Sequence, residues 1–128
     1  VPYLRFKGFD EGILRQQLPV LVKEFALTAA VPEEIVKVEL LPIVQITATP
    51  SSLEIFMFRR DQQKHDAIAG NLHELLSRFG YGNVHIFFVI LTPSLYYKQG
   101  RPLTNISWLP EYIPPGTISD SSCLVQEI

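Results

Sequence analysis

Two stretches decide the fold: Pro2-Tyr3-Leu4-Arg5-Phe6-Lys7-Gly8 and, later, Leu53-Glu54-Ile55-Phe56-Met57-Phe58. In the first, Leu4 and Phe6 alternate with Tyr3, Arg5 and Lys7, the period of two that marks a strand with one buried face, and Gly8 ends it. Asp10 then stands at a helix N-cap position, and Leu14, Leu18, Leu21, Val22 and Phe25 recur three and four residues apart as a single apolar stripe. Pro19 falls inside that stripe, where its missing N–H and its ring predict a kink or a restart of the helix. Pro32 sets the far boundary, and Ile35 to Leu41 reads as a second strand.

The same order then repeats. Leu53 to Phe58 is a strand, Asp61 is an N-cap, Ile68, Leu72, Leu75, Leu76 and Phe79 form a helical stripe, and Gly80 is its stop. Asn83 to Leu91 reads as a strand apolar on both faces, hence buried on both. Strand-helix-strand twice over predicts an α+β fold: two consecutive βαβ units forming a four-stranded sheet with two helices on one face. The opposite sheet face needs a cover, and another copy of the chain is the simplest one.

Composition narrows the function classes. The 128 residues carry 11 Lys+Arg against 13 Asp+Glu, a net charge of −2, so no global basic field supports nucleic-acid coating. The longest apolar run, Ile86 to Leu91, has strand length and not membrane-span length, and the opening residues lack a secretory signal pattern, which leads to the expectation of a cytoplasmic protein. The single cysteine, Cys123, permits no intramolecular disulfide and no Cys-based metal site, and His65 and His73 are not at the i,i+4 spacing of a helical zinc site, so no metal is expected. From Thr92 onward Pro93, Pro102, Pro110, Pro114 and Pro115 punctuate a stretch holding Tyr96, Tyr97, Trp108 and Tyr112. The division expected is a double βαβ domain over 1–103 and an extended Pro/aromatic arm over 104–128, disordered from Ser119.

A proline opening the first strand of a small double βαβ chain resembles the tautomerase superfamily, which contains 4-oxalocrotonate tautomerase and macrophage migration inhibitory factor. The opening Pro2-Tyr3-Leu4-Arg5-Phe6-Lys7-Gly8, the Phe58-Arg59-Arg60-Asp61-Gln62-Gln63 turn and Tyr96-Tyr97 look closest to a bacterial branch similar to the inhibitory factor, over about residues 2 to 103. The resemblance implies a cofactor-independent tautomerase or isomerase of a small 2-oxo acid, a homotrimer, and Pro2 as catalytic general base. Proline has a basic nitrogen only at a true N-terminus, where an α-amino group starts near pKa 7.7–8.0 and an apolar site lowers it. The residue before it, Val1, acylates Pro2 as the sequence stands, so this reading needs residue 1 to be removed, as expected if valine is the literal translation of a GUG start codon. The competing reading of Pro2 is a strand-start proline whose missing donor costs nothing.

The resemblance also implies substrate contacts. Arg59, in Arg59-Arg60-Asp61-Gln62-Gln63-Lys64, is similar to the arginine of the Arg-x-Asp-x-Gln-Lys turn of 4-oxalocrotonate tautomerase that holds substrate carboxylate; here the turn follows the third strand and Phe9 is the first-unit counterpart, so the arginine is expected to serve a neighbour's Pro2 only through subunit assembly. Its neighbour Arg60 is expected not to reach the pocket. Lys37 occupies a place like that of the family's second-strand arginine, without the bidentate fork. His85 falls where the inhibitory-factor branch carries a tyrosine, Phe87 replaces that branch's asparagine, and Thr28-Ala29-Ala30-Val31-Pro32 has no match for its lysine. Structural readings stand beside these: a solvated charge before a cap for Arg59 and a hydrogen-bonded core histidine for His85. The alternative for the whole chain is a non-catalytic oligomeric module that binds a small ligand, since the same element order describes the ferredoxin-like fold.

Overall fold

The computed structural model describes residues 1–103. The strand β1 (Tyr3–Lys7) leads into α1 (Glu11–Ala29), a 3-10 turn at Glu33–Ile35 and β2 (Lys37–Leu41); β3 (Ser52–Phe58) leads into α2 (Gln62–Arg78) and β4 (His85–Leu91). The sheet order is β2-β1-β3-β4, with β1 parallel to β2, β3 parallel to β4 and the two units antiparallel through β1 and β3.

Register explains the burial. Leu4 lies beside Ile55 and Phe6 beside Leu53, all fully buried under the two helices, each such side chain contributing about 1.5–3 kcal/mol. Tyr3, Arg5 and Lys7 point to the other face beside Phe56, Glu54 and Ser52. Both helices are capped as their aspartates predict: Asp10 accepts from the Ile13 N–H at 2.9 Å and Asp61 from the Lys64 N–H at 2.7 Å. Gly80, at φ 95°, follows α2 and lets the Tyr81 N–H return to the Leu76 carbonyl.

Three expectations need correction. The α1 helix does not restart at Pro19: it continues from Glu11 to Ala29 with that residue exposed inside it. The second strand begins at Lys37, its first two residues being taken up by the end of the 3-10 turn and its cap. The fourth strand begins at His85 and is not buried on both faces: it is the edge of the sheet, with Phe87 and Ile90 44% and 45% exposed. After β4 the chain makes a 3-10 turn at Pro93–Leu95 and a short hairpin of β5 (Tyr97–Lys98) and β6 (Arg101–Pro102). Tyr96 thereby meets Phe58 edge to face, with ring centroids 5.8 Å apart, and covers that corner of the sheet. The arm expected over 104–128, including its end from Ser119, lies outside the described residues.

Candidate functional site

The start of β1 sets one end of the sheet. Tyr3 pairs with Lys37 on one side and Phe56 on the other, so Pro2 stands where β2 begins and where β3 and β4 finish. Pro2 is fully buried and its carbonyl accepts from the Lys37 N–H at 3.1 Å. Val1, 6% exposed, belongs to the hydrophobic core, and while it is attached the Pro2 nitrogen is an amide without a usable lone pair. The Lys37 ammonium donates to the Ile35 carbonyl at 3.1 Å and lies 5.4 Å from the centroid of the Tyr3 ring.

At the same end, the β3–α2 turn builds a cavity of about 530 Å³ lined by Arg59, Arg60, Asp61, Gln62, His65, Phe88 and Ile90. Arg59 is exposed at its mouth. Arg60, only 4% exposed, donates from its guanidinium to the Ala29 carbonyl at 2.7 Å, at the C-terminal end of α1, where helix carbonyls lack partners. Both arginines line the cavity, against the expectation for Arg60, because between strand and cap the chain is a turn and strand alternation no longer sends neighbours to opposite sides. The Arg60 N–H donates to Nε2 of His65 at 3.0 Å, which puts the ring proton of the neutral imidazole on Nδ1. That nitrogen is buried and has no hydrogen-bond partner among the described residues, and the ring meets Phe88 at 4.4 Å. Burial first, then the Arg60 and Arg59 charges, hold His65 below the usual histidine range, with Asp61 and Asp66 opposing. The result is a cationic pocket beside a helix N-terminus, suited to a carboxylate. Among the described residues no group of three or more His, Cys, Asp or Glu side chains is arranged to hold a metal, and no helix is long and apolar enough to cross a membrane.

The profile of a domain of unknown function, DUF1904, matches residues 1–102. The chain belongs to the DUF1904 family. Among solved structures, the chain is similar to a DUF1904 domain from Sebaldella termitidis, at 22% identity over 80% of this chain and 99% of that one, with a TM-score of 0.72. It is also similar to a fused 4-OT solved as an asymmetric trimer, at 11% identity over 82% and 98% of the two chains and a TM-score of 0.69. A third similar structure, Pt0534 inactivated by 2-oxo-3-pentynoate, is 13% identical over 81% and 98%, with a TM-score of 0.66. No curated protein matches. This DUF1904 domain thus has the tautomerase-like double βαβ fold that its sequence resembles.

Within one DUF1904 chain, then, Pro2, Lys37 and the Arg59 turn gather at one end of the sheet. His85 does not join them. It pairs with Ser52, which lies opposite Lys7, so the length of β1 separates it from Pro2; it is exposed, and its N–H donates to the Ser51 carbonyl at 2.9 Å. The core-histidine reading of His85 therefore fails in the single chain. The residues sequence reading passed over are Arg60 and His65. A signal for the second was present: the stripe Ile68, Leu72, Leu75 continued one turn toward the N-terminus lands on His65, which puts it on the inward face.

Proposed function

We propose that the chain is a cofactor-independent tautomerase that shifts a proton between oxygen and carbon of a small 2-oxo acid. Pro2 is the general base with Lys37 beside it, and Arg59, brought to a neighbouring copy's Pro2 by subunit assembly, anchors the carboxylate. The observation that carries this reading is that Pro2, Lys37 and the cationic cavity all stand at one end of the sheet, Lys37 on one edge strand and the cavity against the other. The fold shared with fused 4-OT and the inactivation of the Pt0534 relative by a 2-oxo acid support it.

The chemistry requires Pro2 to be the N-terminal residue. Its secondary amine then takes the proton of the enol hydroxyl as the carbonyl forms, and returns a proton to the adjacent carbon; nothing is oxidised or reduced. Buried apolar surroundings disfavour the ammonium form, so that more of the amine stands as free base near neutral pH. The homotrimer is part of the same reading. The open sheet face carries Phe87 and Val89 beside Phe56 and the ion pairs Arg5–Glu39 and Lys7–Glu54, at 2.8 and 2.9 Å, an area that neighbouring copies would cover. His85 contacts substrate only if a second copy brings it to the first copy's Pro2.

The experiment pairs mass spectrometry of the N-terminus with phenylpyruvate ketonisation kinetics. On chains beginning at Pro2, Pro2→Ala lowers the rate by a factor of about 10²–10⁴, the usual worth of a positioned acid-base group. Equal rates would leave the second reading, a non-catalytic oligomeric ligand-binding module, which the packing of Val1 into the core favours wherever residue 1 is retained.

A further inference from the structure

The head of α2 contains an arrangement that the proposed chemistry does not use. His65 sits one turn inside the helix and reaches back across the N-cap to accept the Arg60 N–H at 3.0 Å. Arg60 in turn fastens to the Ala29 carbonyl at the end of α1, and the imidazole braces against Phe88 of β4. The ring thus connects the β3–α2 turn to α2 and to the edge strand, the Arg60 side chain ties the same turn to α1, and the turn presents Arg59 to the cavity.

We propose that His65 is the positioning residue of this pocket: as a neutral imidazole it holds the Arg59–Arg60 turn in the shape that receives a carboxylate, and its protonation releases the turn. The inference rests on the carboxylate reading of the pocket. Its logic is geometric. A protonated Nε2 carries a hydrogen and cannot accept from the Arg60 N–H, so the two donors face each other and the ring or the turn must move. The charged groups around the ring act in both directions. Arg59 and Arg60 on the turn oppose protonation, Asp61 at the cap and Asp66 on α2 favour it, and β4 contributes the uncharged Phe88; burial adds to the arginines, so the neutral form prevails at neutral pH. Proton uptake would by itself add a cation and strengthen anion binding. The positioning role therefore predicts the opposite pH trend from simple electrostatics, which makes it decidable.

Phenylpyruvate binding is measured by calorimetry from pH 8 to pH 4.5 on the wild-type chain, His65→Gln and His65→Leu. A glutamine carbonyl replaces the acceptor and does not titrate; leucine fills space and accepts nothing. The wild type should lose roughly three- to tenfold in affinity as His65 protonates, the worth of one hydrogen bond. His65→Gln should bind nearly as tightly at pH 8 and lack this loss in acid, the Pro2 amine titrating alike in both chains, and His65→Leu should bind weakly throughout. A wild type that gains affinity in acid relative to His65→Gln, or a glutamine variant that keeps the full wild-type pH dependence, overturns the proposal. If phenylpyruvate fails to bind any variant, the carboxylate reading fails, and His65 is judged on the free protein by the Arg60 amide resonance. That resonance must move with His65 titration in the wild type and stay fixed in His65→Gln; a resonance indifferent to pH overturns the latch as well.

Discussion

Aligned on their N-cap aspartates, Asp10 and Asp61, the two βαβ units set Gly8, and not the Phe9 expected from the sequence, against Arg59, with Phe9 against Arg60, Glu11 against Gln62 and Leu14 against His65. The partner strands correspond too. Val38 and Leu40 pair with Leu4 and Phe6 in the first unit as Phe88 and Ile90 pair with Ile55 and Met57 in the second. Each unit has hollows where its helix begins. In the first, adjoining cavities of about 370 and 250 Å³ are lined by Gly8, Phe9, Leu14, Leu40 and Glu11, whose carboxylate is paired with Arg15. In the second the hollow is cationic. The same backbone plan has thus produced one end where Glu11 and Arg15 neutralise each other among apolar side chains and another with a surplus of positive charge, and the change lies in the two residues before the cap.

Those two residues also solve one packing problem in two ways. Phe9 fills the space beyond its strand with aromatic contacts, with ring centroids 5.0 Å from Phe6 and 4.2 Å from Tyr81, which lies just past the Phe79 cap of α2. Arg60 fills the equivalent space beyond β3 with a charge, tied to Ala29 at the end of α1. Gly8 adopts φ +79° and lies so close to Ser51 that an added Cβ would sit 3.2 Å from it, which bars an arginine like Arg59 from that unit.

The contrast can be broken most directly at Arg59. Arg59→Ala should weaken 2-oxo acid binding by about 10–100-fold, the loss of a charge-assisted contact of about 1.5–3 kcal/mol, and Arg59→Lys should recover part of it. Glu11→Gln, the corresponding change at the other end, should leave binding as it was. Similar losses in titrations of both variants would show that the two ends do not differ in function. A stability comparison sharpens the packing contrast. Arg60→Ala should cost about 1.5–3 kcal/mol in urea denaturation, since a buried guanidinium bond is lost and a helix-end carbonyl is exposed, and Phe9→Ala about 1–2 kcal/mol because that ring is half-exposed. Arg60→Ala at wild-type stability would mean that the α1 end is held by other contacts.

The smallest expected effect is a pH slope. His65 binds its proton less readily in the fold than unfolded, so below about pH 6.5 the unfolded chain takes up a proton that the native one refuses. The stability this contributes is complete above that pH and is lost as pH falls through the lower native value. Leu14 occupies the equivalent position in the first unit and has no such dependence. Denaturation midpoints from pH 7.5 to pH 5 should fall more steeply for the wild type than for His65→Gln; parallel curves would show that His65 is not responsible.

Sequence periodicity alone determined the four strands and two helices of the double βαβ, their order, the two capping aspartates and the buried face of β1. Each of these is set by local geometry: alternation in a strand, a three-to-four spacing in a helix, a carboxylate three residues before an unpaired N–H. Pro19 did not end α1, because the apolar stripe on both sides of it, Leu14 before and Leu21 and Phe25 after, packs into the core and holds the helix together across the missing bond. The exposure of β4 and the separation of His85 from Pro2 depended on strand order and on the antiparallel meeting of β1 with β3, which are contacts between residues far apart in the chain. Arg60 and His65 belong to the same class. Their bond spans the cap, and the Arg60 bond to Ala29 crosses from one unit to the other, so only the assembled tertiary structure makes the pair a site.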